Sequence, residues 1–246
     1  MHNKPTTLAE FILQVINLLK KHYPRAKIVL NFSNNWELLV AVILSAQCTD
    51  KMVNMVTSKL FPKFRKSQIS NLKSQKYNSK FKTLTAEIQE IINFAEVPIE
   101  ELEQDIKSTG FYRNKAKNVK AAARLILEKF NGQVPKTMAE LITLPGVARK
   151  TANIVLGNAY NIVEGIAVDT HVFRLSRRLG FSDSNNPEKV EQDLMRVIPK
   201  EYWFPLTYLL IEHGRAICKA PLPKCDECFL NKICSSAFDF PNFKKQ

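Results

Sequence analysis

Leu144-Pro145-Gly146-Val147-Ala148-Arg149-Lys150-Thr151-Ala152 is the stretch that decides how this chain folds. A short apolar helix over 138–144 ends at Leu144, and the chain turns at Pro145-Gly146. A second helix then opens near Arg149 and runs to residue 160. Gly146 can take backbone angles closed to other residues, and such a turn exposes successive N–H groups. Beside the positive end of the following helix, those N–H groups form a seat for a phosphate, and Arg149 adds charge at the same place. The pattern is that of a helix-hairpin-helix. An ordinary connection between two packed helices would read the same way, so the turn alone does not settle a function.

Helical periodicity continues on both sides of it. Leu8, Phe11, Ile12, Val15, Ile16 and Leu19 make one apolar stripe, and Trp36, Leu39, Val40, Ile43 and Leu44 make another that ends near Ser45. Further helices are expected over 116–130, 170–180, 187–198 and 204–218. Gly132, Pro135, Gly180, Pro187 and Pro199 stand between them as stops and starts. Seven glycines in 246 residues leave little material for a barrel or sandwich of tight turns. The fold class is all-α.

The chain has room for one large domain or two modest ones with real cores. Lys and Arg number 36 against 23 Asp and Glu, a formal charge of +13. That surplus points to a polyanionic partner, nucleic acid being the commonest, with strongly salt-dependent binding. Charge alone does not exclude a merely basic soluble protein. The segment from Lys51 to Ala86 has no acidic residue. Its stretch from Lys63 to Lys82 carries Lys63, Arg65, Lys66, Lys73, Lys76, Lys80 and Lys82 among Ser, Asn and Gln, and reads as a solvated loop or weakly helical excursion, with a grip on DNA backbone as the alternative. No membrane or export segment is visible: residues 8–19 are apolar but broken by Gln14 and Asn17. An intracellular, cytoplasmic chain is expected, with thiols kept reduced. Cys48, in an apolar segment, reads as a small core residue.

The other four cysteines, Cys218, Cys225, Cys228 and Cys234, follow C-x6-C-x2-C-x5-C. Four thiolates on so short a loop can converge on one metal centre with little chain to close, and their bonds supply folding energy the loop lacks. A structural zinc set is the serious rival, although zinc ligands usually come as two close pairs on separate turns. Continuous wrapping by four thiolates suits a cuboidal iron–sulfur cluster better. A disulfide pair is the third reading, and nothing at the N-terminus suggests the oxidising compartment it needs.

Val168-Asp169-Thr170-His171 enters the next helix, where Asp169 or Thr170 is placed to cap it. Asp169 follows Lys150 by 19 residues, about enough for a helix, a loop and a return, so the two side chains could face one cleft. A lysine and a carboxylate in one cleft suit imine chemistry, because a neutral amine can attack a sugar carbon. An exposed lysine titrates near ~10.4, so such a site has to lower it by burial or neighbouring cations.

Taken together, Leu-Pro-Gly-Val-Ala-Arg-Lys, then Val-Asp-Thr-His, then the cysteine loop resemble the endonuclease III family of DNA glycosylases. The resemblance extends to Leu44-Ser45-Ala46-Gln47-Cys48-Thr49-Asp50 and to Thr109-Gly110-Phe111-Tyr112-Arg113-Asn114-Lys115-Ala116. It spans nearly the whole chain in the expected order. It implies a bacterial, nucleoid-associated monomer that removes oxidised pyrimidines such as thymine glycol from duplex DNA and nicks the strand 3′ to the empty sugar by β-elimination. Lys150 would be the nucleophile at C1′. Asp169 would assist deprotonation and stabilise the sugar cation.

On the same resemblance, Gln47 fills the space left by the extruded base, and Phe111 stands where the family often has a wedging leucine. Gly146, Ala148 and Arg149 seat phosphate, and His171 orients the site or contacts DNA. Cys218, Cys225, Cys228 and Cys234 hold one 4Fe–4S cluster, which positions the basic loop 219–224 against phosphate. Lys150 separates the chain from adenine-mismatch glycosylases, which look similar in turn and cysteine loop but lack that lysine. A monofunctional glycosylase and a non-catalytic, cluster-stabilised DNA-binding protein are the alternatives.

Two departures from the family stand out. Ala148 occupies the place of a second glycine, which would cost roughly 1 kcal/mol if a positive φ were needed there. Residues of about 66–90 form a basic insertion whose low apolar content suggests tolerated surface chain. The expected architecture is two helical lobes flanking a DNA cleft, one over 28–161 with the hairpin at about 136–160. The other joins 1–27 to 162–246, and Lys150 and Asp169 would line the cleft from opposite sides.

Overall fold

The computed structural model describes residues 7–66, 77, 80, 81 and 83–243, and among them every regular element is helical. In chain order the first helices are α1 (Leu8–His22), α2 (Asn35–Leu44), α3 (Asp50–Lys66), α4 (Ala86–Glu96), α5 (Ile99–Asp105) and α6 (Tyr112–Lys129). They are followed by α7 (Met138–Leu141), α8 (Arg149–Tyr160), α9 (Thr170–Arg178), α10 (Pro187–Val197) and α11 (Trp203–Ala216). Two compact units result: Met1–Ile28 with Val163–Gln246, and Val29–Ile162.

The discontinuous unit is built on α1. Thr7 starts it with a reciprocal cap: its Oγ1 accepts from the Glu10 N–H at 3.2 Å, and Glu10 Oε2 accepts from the Thr7 N–H at 3.2 Å. Ile12, Val15, Ile16 and Leu19, all fully buried, then pack into one core with Val172 and Leu175 of α9, Val190 and Leu194 of α10, and Leu206 and Leu210 of α11. Burying each such side chain is worth about 1.5–3 kcal/mol, so α1 is an integral part of that core. Gly180, at φ +72°, lets the chain leave α9 with the Phe181 N–H bonded to the Ser176 carbonyl at 2.7 Å.

The continuous unit surrounds α2, which is buried from Trp36 through Leu44. A helix apolar on all sides belongs in a core, and here α3, α6 and α8 all pack against it. Phe64 stacks on Phe94 with centroids 4.0 Å apart, and Trp36 meets Phe94 edge-on at 5.4 Å. Asn93 Nδ2 donates to the Phe64 carbonyl at 2.6 Å and so ties α4 to the end of α3.

Here the structure corrects the reading of the basic segment. Its first part, residues 63–66, ends the helix α3, whose Val53, Val56, Leu60, Phe61 and Phe64 are buried. Lys63 lies 2.9 Å from Glu101 and 2.6 Å from Asp105, and Arg65 lies 3.0 Å from Glu37. Lys80 donates to the carbonyls of Leu127 and Glu128. These cations serve the fold. Tyr77 and Phe81 are buried, and residues from Ala86 onward belong to α4. Lys73, Lys76 and Lys82, like most of the expected insertion, lie outside the described residues. The expected helix 138–144 is shorter, ending at Leu141, because Thr143 and Leu144 bond three residues back. Cys48 is half-buried on the turn after α2 rather than in the core.

Candidate active site and metal centre

Thr137 caps α7 by accepting from the Glu140 N–H, and the chain then turns through Pro145 and Gly146 into α8. The Val147 N–H closes the turn on the Leu144 carbonyl at 3.1 Å. Gly146 has φ +80°, and a Cβ built there would meet the Asn118 side chain at 3.0 Å. Both the angle and the space therefore demand glycine. Ala148 caps α8 with φ −94° and ψ 171°, ordinary extended backbone that alanine adopts without strain. The departure from glycine there leaves the turn intact. Arg149 is exposed, and Lys150, the second residue of α8, is half-buried.

Asp169 is the N-cap of α9. Its Oδ1 accepts from the His171 N–H at 2.9 Å and the Val172 N–H at 2.8 Å, which fixes the carboxylate at the head of the helix. Capping and a chemical role are compatible, since a carboxylate has lone pairs beyond those two bonds. His171 is half-buried, with Nδ1 3.2 Å from Arg174 Nη2. Gly214 of α11 lies so close that a Cβ there would come within 2.6 Å of that ring nitrogen. Lys150 belongs to the continuous unit and Asp169 to the discontinuous one.

Gln47 and Phe111 share an unusual backbone. Both lie in the left-handed region, at φ 51° and 48°, and both are exposed, Phe111 to 68%. For residues with a Cβ that conformation costs about 1–2 kcal/mol.

The four cysteines of the C-terminal loop line a single pocket with Leu175, Leu179, Ile217 and Leu230. Arg178 Nη1 donates to Cys218 Sγ at 3.3 Å and the Leu230 N–H to Cys228 Sγ at 3.4 Å, while His213 Nε2 sits 3.5 Å from Cys228 Sγ. Burial, reinforced by the neighbouring thiols against the Leu230 N–H, pushes Cys228 up to about 11; burial also raises Cys234.

The sequence of the HhH-GPD superfamily base excision DNA repair proteins matches residues 40–200. The chain is 45% identical to endonuclease III of Synechocystis sp. over 224 residues, 91% of each protein. It is 38% identical to endonuclease III of Escherichia coli K12 over 222 residues, 90% of this chain and 93% of that one. The chain belongs to the endonuclease III family. A solved non-covalent endonuclease III–DNA complex shares the fold with a TM-score of 0.79 at 41% identity, covering 93% of this chain and 96% of that one. A trapped endonuclease III–DNA covalent intermediate gives the same values.

Against that family, the donor set can be judged on its chemistry. Among the described residues no three His, Cys, Asp or Glu side chains form a group that could hold a single metal ion. The four cysteines line one pocket, and a structural zinc ion or a cluster would each bind them as thiolates. An apolar floor and N–H donors aimed at the sulfurs of Cys218 and Cys228 fit a cluster bound as thiolates. Sequence reading missed Arg174, whose Nη2 reaches the carbonyls of Gly214 and Cys218 and so joins the Asp169 helix to the first cysteine. Gly214 carried the available signal: a glycine inside a helix marks a close approach.

Proposed function

We propose that this endonuclease III family member excises oxidised pyrimidines of the thymine glycol type from duplex DNA and then cleaves the strand. It is a DNA glycosylase and abasic-site lyase. The damaged nucleotide must first leave the stack, because its glycosidic carbon is unreachable inside the helix. The Gly146 turn, with Ala148 and Arg149, binds a backbone phosphate through N–H groups and charge at the start of α8. Gln47 fills the vacated space, its amide both donating to and accepting from the orphaned base. Phe111 wedges against the opposite strand, where an aromatic stacks on bases. His171 contacts DNA or orients the site, and the basic loop 219–224 meets phosphate.

Lys150 Nζ, as a neutral amine, attacks C1′ with its lone pair while the glycosidic bond breaks. The base leaves with the bonding pair and takes up a proton. Asp169 stabilises the positive charge that develops on the sugar and helps remove the proton released from Nζ. Opening of the sugar ring, with protonation of its oxygen, gives the protonated imine. That imine acidifies C2′; loss of a C2′ proton expels the 3′ phosphate, and water then hydrolyses the imine and returns Lys150. Cys218, Cys225, Cys228 and Cys234 would hold one 4Fe–4S cluster, whose bonds supply folding energy to the loop.

The observation that carries this reading is the half-buried Lys150 in the first turn of α8, directly behind the Pro145-Gly146 turn. The test is product analysis on duplex DNA with one thymine glycol. Wild type should release the base and leave a nicked strand ending in an unsaturated aldehyde, whereas Lys150→Ala should bind the duplex and yield neither product. Base release without strand cleavage by wild type would favour the monofunctional alternative.

A further inference from the structure

Lys115 is a buried cation, 5% exposed, in the first turns of α6. Its Nζ donates to the Leu44 carbonyl at 2.8 Å and to the Thr109 carbonyl at 2.7 Å, reaching 71 and 6 residues along the chain. Both acceptors stand just upstream of a left-handed residue: Leu44 three before Gln47, and Thr109 two before Phe111.

The helical pattern explains why these carbonyls want a donor. Continuing α2 would have sent the Cys48 N–H to the Leu44 carbonyl, but the turn at Gln47 redirects that N–H to Ser45 at 3.1 Å. No basic residue of α2 itself lies in its last turn, so the Lys115 ammonium supplies the cation its C-terminal carbonyls favour. On the other side, Thr109 is 1% exposed and its Oγ1 donates to the Ile106 carbonyl at 2.8 Å, which holds the peptide before Gly110 and Phe111. One ammonium therefore pins the base of both strained turns. A hydrogen bond from a charged donor is stronger than one between neutral groups, which suits it to offset the strain of a left-handed residue.

We propose that Lys115 is a positioning residue that sets the spacing of Gln47 and Phe111, the two side chains that probe the duplex. The proposal rests on the functional reading above and concerns one step only. Gln47 and Phe111 act where a partner strand exists, because the gap to fill and the opposite strand to wedge belong to a duplex. Lys115 should therefore matter for excision from duplex DNA and not for the lysine chemistry itself.

The test compares two substrates in single-turnover assays: duplex DNA with one thymine glycol, and a single strand carrying one abasic site. Lys115→Met keeps the aliphatic stem and removes the donors. It should slow excision from the duplex about tenfold or more, the scale expected when probing groups shift by a fraction of an ångström. Strand cleavage at the single-stranded abasic site should stay within about twofold of wild type. If the ratio of the two rates equals that of wild type, whether both fall or neither does, Lys115 has no positioning role. Should the methionine variant fail to melt cooperatively, Lys115→Gln, which retains a donor but is too short to bridge both carbonyls, is judged by the same ratio. Wild type inactive on both substrates would overturn the functional reading, and the positioning role with it.

Discussion

At the scale of single residues, a sequence restricts the chemistry most where few side chains can perform a task. Four cysteines at short spacing, a lysine behind a Pro-Gly turn and an aspartate before a helix restrict the reading because substitutes are scarce. Backbone angles are not written in the same way. Ala148 looked like a defect only because its φ could not be read from the sequence; at −94° it costs nothing. Gln47 and Phe111 could be matched to the family, but nothing local announced their left-handed backbone, which rests on a lysine far along the chain in one case. Gly146 and Ala148 give a paired prediction. Gly146→Ala forces φ +80° on a residue with a Cβ and drives it against Asn118. It should cost about 1–2 kcal/mol and lower Tm by about 2–4 °C for each, with weaker binding to duplex DNA. Ala148→Gly should leave both Tm and DNA affinity nearly unchanged. Melting and titration of the two variants check this, and equal effects would mean the turn is not discriminating.

At the scale of helices, the period of 3.6 located α1, α2, α6 and α8 to α11 within a few residues. It failed for α3, α4 and α5. In α3 an internal Pro62 and three basic residues in the last turn concealed a buried face of Val53, Val56, Leu60, Phe61 and Phe64. Its charges looked solvated because their acidic partners lie elsewhere in the chain. The same packing joins α2, α3 and α4 through a buried pair. Glu37, fully buried, meets Arg65, while Glu90 Oε2 accepts from Asn34 Nδ2 at 2.8 Å. Burial and then the Glu37 charge raise Glu90 to about 8, against the opposing Asn34 hydrogen bond and Arg65 charge. A carboxyl raised in the folded state keeps its proton where the unfolded chain releases it. Its contribution is therefore complete below about pH 4.5 and lost as the pH rises through 8. Wild type should lose stability steadily over that window. Glu90→Gln keeps an acceptor for Asn34 and should flatten the profile. Denaturant midpoints from pH 5 to 8.5 decide it, and parallel profiles for the two proteins would refute a proton held by Glu90.

At the scale of the whole molecule, the surplus of positive charge and the helical content were plain in composition and pattern. The expected pairing of residues 1–27 with 162–246 rested on the family resemblance, since nothing in α1 alone says what covers its apolar face. Among the described residues no helix is long and apolar enough to cross a membrane. The cysteine loop ties into the core of the discontinuous unit, with Cys218, Cys228 and Cys234 packed against it. Loss of the metal should therefore be felt there as unfolding. Cys225→Ser should yield colourless protein without iron or sulfide, with residues 163–246 cut by protease at concentrations that spare wild type. A colourless, zinc-loaded wild type would contradict the cluster while leaving the lysine chemistry untouched.

That chemistry is tested most directly by borohydride trapping on duplex DNA carrying one thymine glycol. Reduction converts the imine between Lys150 and C1′ to a stable amine. Wild type should form a covalent protein–DNA adduct whose mass maps to the peptide bearing Lys150, and Lys150→Ala should form none. An adduct of undiminished yield from Lys150→Ala, or none from metal-replete wild type that binds the duplex, would contradict Lys150 as the nucleophile.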